Sequence, residues 1–233
     1  VEDGEARPRS VAETLQGMGR ALGNLRFLAL ILITAGFWAI QGQLYASMPK
    51  YVLRLVGPGA SPEWYANVNP FVVVLCVVPV THLVRRLSPV TSIGIALAMI
   101  PVSALIMSLS GGMTGQITVL GAALHPVTVL MVLGIALQGF AECFLSPRYL
   151  EFASKQAPPG QEGLYMGYSH LHTFFAWLAG FILSGYLLDA FCPDPKKLAA
   201  QGITGEAFTA AYAHAHYIWY VFAGIGAAAF VAL

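Results

Sequence analysis

PVTVLMVLGIALQGFAECFLSPRYLEF, residues 126–152, decides the fold. It is apolar over more than the roughly 20 helical residues that cross a hydrocarbon core of about 30 Å. Glu142 sits near its middle, where a charged carboxylate costs roughly 2.5–3.5 kcal/mol on insertion scales. Gln138 and Ser146 lie four residues before and after it, a spacing that places all three on one helical face. Pro147 cannot donate to the carbonyl of Cys143, so a kink is expected there. No Lys or Arg falls at mid-depth in any apolar run. The counter-charge of Glu142 must therefore be a substrate, a proton or another part of the protein.

Working outward, the same length test finds further spans at about Leu25–Leu55, Glu63–Val84, Pro89–Leu109 and Gly163–Ala190, with a sixth starting near Tyr217. Turn chemistry separates them: residues 57–62, Gly111-Gly112 and Pro158-Pro159-Gly160. Composition agrees. Of 233 residues, 57% are apolar and 10% charged, against about 25% charged in a soluble domain. With a mean hydropathy of +0.69, such a chain cannot build a water-facing skin. A typical soluble globule, a nucleic-acid binder and a disordered chain are excluded together. The expected fold is an all-α membrane protein of six transmembrane helices over 25–233, truncated in the last. Residues 1–24 are expected to form a cytoplasmic linker or surface helix, because Val11, Leu15, Met18 and Leu22 fall at helical spacing. The start at Val1 and the stop at Leu233 within an apolar run are read as those of a fragment.

Lys and Arg set the orientation. Arg7, Arg9, Arg20, Arg26, Arg85, Arg86, Arg148 and Lys155 fall on the side of the N-terminus; Lys50, Arg54, Lys196 and Lys197 fall on the other. The N-terminus of this segment is thus expected in the cytoplasm. Cys76, Cys143 and Cys192 make no metal spacing, and no phosphate loop or zinc-protease helix occurs. No cofactor or metal is expected.

Polar side chains inside spans tend to face a bundle interior or a water-filled cavity. Trp38, Gln41 and Tyr45 form an aromatic–amide–phenol stripe on the first span, with Gln43 on another face. Tyr65 and Asn69 share a face of the second span, and Pro70 strips the Ala66 carbonyl of its helical donor. Tyr165, Ser169 and His172 share a face of the fifth span, with His170 roughly opposite. His172 is a candidate proton relay beside Glu142. Arg85, Arg86, Arg148 and Glu151 fall at cytoplasmic helix ends, where charges can pair across helices and form a gate. Substrate-binding candidates are Glu142, Asn69, Trp38, Gln41, Tyr45, Ser146 and Ser169. No paired-carboxylate or Ser–His arrangement converges, so an enzyme is not expected.

In combination the segments resemble a family. Glu142-Cys143-Phe144-Leu145-Ser146-Pro147, then Ala157-Pro158 and Met166-Gly167, resembles the proton-dependent oligopeptide transporters of the major facilitator superfamily. Asn69-Pro70 resembles that family's Asn-Pro motif, and Phe37-Trp38-Ala39 with the following Gln43 resembles the start of its seventh helix. The order and separation match the C-terminal six-helix half of a twelve-helix transporter. The resemblance implies proton-coupled symport of di- and tripeptides by alternating access. It also implies an N-terminal half outside this sequence, a place in the cell (inner) membrane, and the proton as coupling ion. Within it, the acid matching Glu142 engages the peptide's amino terminus, and residues matching Asn69 and Trp38 line the pocket. Two positions depart: Gly42 stands where an acid is expected, and Ser169 where a tryptophan is. They favour, as the alternative, a carrier of the same fold for an amino acid, drug or sugar. A non-transporting membrane scaffold is the reading from another class.

Overall fold

The computed structural model describes residues 11–113 and 115–233. Arg7 and Arg9, counted for orientation, lie outside the described residues, as does the rest of 1–10. Helix α1 (Val11–Gly23) forms where the head was expected to be helical. It docks through Ala21 and Leu22 into a small cluster with Phe27, Ile31, Ala153 and Tyr165, while Leu15 stays exposed. Asn24 then caps α2 (Leu25–Gln41), its side-chain oxygen accepting the backbone N–H of Arg26 and Phe27.

The first apolar run is not one helix. After α2 comes a 3-10 turn, Gly42–Leu44, and then α3 (Ser47–Leu55). The others are α4 (Pro62–Val84), α5 (Pro89–Ser108) and α6 (Pro126–Lys155). The next run is broken into α7 (Glu162–Ser169) and α8 (Leu171–Phe191). Short α9 (Pro195–Ala200) and α10 (Gly205–Ala210) fill the long loop before α11 (Tyr217–Ala232). A hairpin of Ile117–Val119 with Ala122–Leu124 joins α5 to α6 and turns at Leu120-Gly121, both at positive φ.

Five segments are long and apolar enough to cross a membrane: Leu25–Leu55, Pro62–Val84, Pro89–Gly111, Pro126–Lys155 and Glu162–Phe191. The sixth expected span, α11, has 16 residues, short of the roughly 20 a straight crossing takes. The bundle is helical and multi-pass.

Helix neighbours run in the order α4, α6, α5, α11, α2, α8. Their shared core includes Phe37, Ile40, Met48, Tyr51, Ile93, Leu97, Ile100, Met107, Trp219 and Phe222, all sealed from solvent. Close approach depends on small residues. A Cβ on Gly134 of α6 would sit 2.9 Å from the Ser103 carbonyl of α5, and one on Gly139 would sit 2.8 Å from the Asn69 carbonyl of α4. Of the five long apolar segments, α4 buries least. Phe71, Val74, Leu75 and Val78 point outward from it, as Phe174, Trp177, Leu178 and Phe181 do from α8. Such faces suit lipid or another apolar segment, not water.

Candidate functional site

The site gathers where α2, α4 and α6 meet. Gln41, the last residue of α2, donates its amide Nε2–H to Glu142 Oε2 at 2.8 Å. Asn69 of α4 donates Nδ2–H to the same oxygen at 3.4 Å. Two carboxamides from two helices thus hold one carboxylate. Gly139, one turn before Glu142, lets α4 approach closely enough for Asn69 to reach it. Asn69 lies on a face of α4 that also buries Tyr65, whose hydroxyl bonds that of Thr128 at 2.8 Å. The helix continues through Pro70 without breaking.

Among the described residues no base pairs with Glu142. Among the described residues the ion pairs are Arg54–Asp194, Arg148–Glu151, Lys155–Glu151 and Lys197–Asp189. The carboxylate is half-buried, so one side remains approachable. Beside it Gln41, only 5% exposed, keeps its Oε1 buried with no donor among the described residues. The acid and the orphan carbonyl oxygen beside it are both acceptors. Chemically the pair suits a cation with N–H donors.

A second group lies toward the α7–α8 break. The break leaves the Ser169 carbonyl without a helical donor, and two side chains take it: Tyr149 Oη donates at 2.9 Å and His172 Nδ1 at 2.6 Å. The His172 ring stacks on Trp38, with centroids 5.3 Å apart and planes 28° apart. Trp38 lies three residues before Gln41 on α2, so the two groups adjoin.

Other candidates stand elsewhere. Gln138 is buried but turns to α5, its Nε2 at 3.9 Å from Met107 Sδ. Tyr45 follows the 3-10 turn and is 66% exposed, off the stripe of Trp38 and Gln41. The Ser169 hydroxyl bonds back to the Met166 carbonyl at 2.6 Å, so its backbone, not its side chain, joins the second group. Ser146 is half-buried on α6, one turn past Glu142. At the end expected to be cytoplasmic, Arg148 bonds Glu151 on its own helix at 2.6 Å and donates to the Val84 carbonyl closing α4. Arg85 and Arg86 are exposed and outside that contact. The gate expected of all four is thus a tie made by one arginine.

In one further polar group the sequence marks only Gln43. Gln43, Ser47 and Ser184 form a buried chain between the first and fifth spans: Ser47 Oγ donates to Gln43 Oε1 at 2.8 Å and meets Ser184 Oγ at 2.7 Å. A serine in an apolar run is a weak signal alone. At the other end of the bundle, a cavity of about 830 Å³ is lined by Tyr51, Ser110, His125, Glu206, Tyr212 and His216. Burial holds the His125 imidazole below its usual pKa range; His216 is lowered too, by burial and then by His214. Among the described residues no three His, Cys, Asp or Glu side chains come together as metal ligands.

The chain is 24% identical over 173 residues to the multidrug resistance protein MdtH of Aeromonas hydrophila, covering 74% of this chain and 40% of that protein. It is 23% identical to the protein of the same name from Aeromonas salmonicida, with the same coverage. The chain therefore spans about 40% of the length of these curated relatives. No solved structure matches it. The sequence profile of the POT family matches residues 18–202, most of the chain, and with its apolar multi-pass bundle the protein belongs to that family of membrane transporters.

Proposed function

We propose that this chain is the six-helix C-terminal half of a major-facilitator-type carrier that takes up di- and tripeptides together with protons. In this reading a second six-helix block packs against it, and substrate binds between the halves near mid-membrane. The N-terminus of the segment lies in the cytoplasm and the membrane is the cell (inner) membrane. One observation carries the proposal: Gln41 and Asn69, from two spans, hold a mid-span carboxylate that has no basic partner among the described residues. A carboxylate kept there at a cost of a few kcal/mol is positioned to bind what arrives with the opposite charge, a proton or a substrate ammonium. Ionised Glu142 holds the amine; a co-transported proton carried on another group that reaches Glu142 after entry neutralises it and releases the amine.

The test is uptake by the full-length carrier in liposomes under an inward proton gradient. Glu142→Gln should abolish gradient-driven dipeptide accumulation while the protein still inserts. Unchanged uptake with an unchanged pH profile would remove Glu142 from the mechanism. A second reading, a carrier of the same fold for a non-peptide solute, is favoured by Gly42 and Ser169, which replace an acid and a tryptophan expected from the resemblance. Failure of every di- and tripeptide to compete for transport would decide for it.

A further inference from the structure

The stacked rings of Trp38 and His172 carry an unmet requirement. Trp38 Nε1 and His172 Nε2 are both sealed from solvent, and neither has a hydrogen-bond partner among the described residues. His172 itself is only 2% exposed. With Nδ1 at 2.6 Å from the Ser169 carbonyl, the imidazole proton sits on Nδ1. The neutral ring then offers Nε2 as a bare acceptor, whereas the indole Nε1–H can only donate. Rings whose centroids are 5.3 Å apart thus present one unused acceptor and one unused donor. Each bears the cost of leaving water without a bond to offset it.

We propose that Trp38 and His172 form a second, uncharged seat of the substrate site, specific for a neutral group that both accepts and donates, such as the amide of a peptide. A substrate carbonyl accepts from the indole N–H, and an N–H of the same or the next amide donates to His172 Nε2. The inference rests on the reading of Glu142 as the seat of the substrate amine. Spacing agrees. Trp38 is three residues from Gln41, about 4.5 Å along the helix. Tyr149, which shares the Ser169 carbonyl with His172, is two turns from Glu142, about 10 Å. A peptide advances roughly 3.5 Å per residue, so an amine on Glu142 brings the first or second amide to this level. The seat is closed in this conformation. Span five breaks between Ser169 and Leu171, just before His172, so the imidazole can leave the indole without unwinding a continuous helix. His172 is therefore assigned a role in specificity, distinct from a proton relay.

Three probes test this by titration calorimetry on the purified full-length carrier: alanyl-alanine, its ester analogue lacking the amide N–H, and hexylamine. The wild type should bind alanyl-alanine at least tenfold more tightly than hexylamine and about fivefold more tightly than the ester. His172→Phe keeps an aromatic ring and should erase the amide–ester preference. Trp38→Phe should shrink the advantage over hexylamine. Equal wild-type affinity for amide and ester, or a preference that survives His172→Phe, overturns the inference. The wild-type comparison decides it even if a variant does not fold. Glu142→Gln separates the two readings: it should weaken all three probes. If it does so while amide and ester remain indistinguishable, the amine seat stands and the second seat falls. If alanyl-alanine does not bind at all, both fall.

Discussion

Gln41 and Glu142, on the first and fourth spans, are joined at 2.8 Å by an amide-to-carboxylate hydrogen bond at the end of a helix. The first span stops being α-helical at the next residue. Glu142 is therefore held by the part of α2 that adjoins a backbone irregularity, so a change in that turn changes how the carboxylate is held. Such discontinuous helices are where carriers place their binding groups.

If the bond positions the carboxylate, Gln41→Leu should weaken substrate binding about 3- to 18-fold. This corresponds to the ~0.6–1.7 kcal/mol measured for interhelical hydrogen bonds in membranes. Asn69→Leu should cost less, because its bond is longer at 3.4 Å. In a double-mutant cycle with Glu142→Gln the Gln41 effect should largely disappear. Full additivity would show that the two residues act separately.

Gly139 and Gly134 separate stability from function. Alanine at either position overpacks a helix contact and should cost about 1–3 kcal/mol, read as a lower Tm in detergent. At Gly139 the added methyl also meets Asn69 Nδ2 at 3.2 Å, so transport should fall further than stability accounts for. At Gly134 it meets Met107 and Ser103, away from Glu142, and residual transport should follow the amount of folded protein.

Arg148 ties α6 to α4 through the Val84 carbonyl. Arg148→Gln should loosen that end of α4, seen as faster hydrogen exchange around residues 80–87. Glu151→Gln should do less, because ion pairs open to solvent on one side contribute about 0–1 kcal/mol. Arg85→Ala and Arg86→Ala should shift Tm little, within about the 0.5 kcal/mol typical of surface changes.

Glu142, Gln41 and Asn69 were legible in the sequence because a lone acid and amides stand out in apolar runs, where each carries a desolvation cost. Their meeting was not, since spacing orders residues on one helix and says nothing of its neighbour. Counting by turns also misleads in two ways. Four residues overshoot one turn by about 40°, enough to carry Gln138 round to Met107 on α5 while Glu142 faces α2 and α4. Tyr45 joins the stripe only if α2 runs on, but the Gly42–Leu44 turn has a different pitch and swings the phenol outward. The break near His170 has no proline to announce it. The stacking of His172 on Trp38 follows from the packing of α8 against α2, which no local pattern encodes.

In the function proposed above, the Glu142 carboxylate is the counter-charge of a substrate amine. The most direct measurement compares alanyl-alanine with its N-acetylated form, which lacks the cationic amine, on full-length wild type and Glu142→Gln. The account predicts at least tenfold tighter wild-type binding of the free-amine peptide, and a variant that no longer distinguishes the two. A variant that still prefers the free amine by the wild-type margin would contradict it.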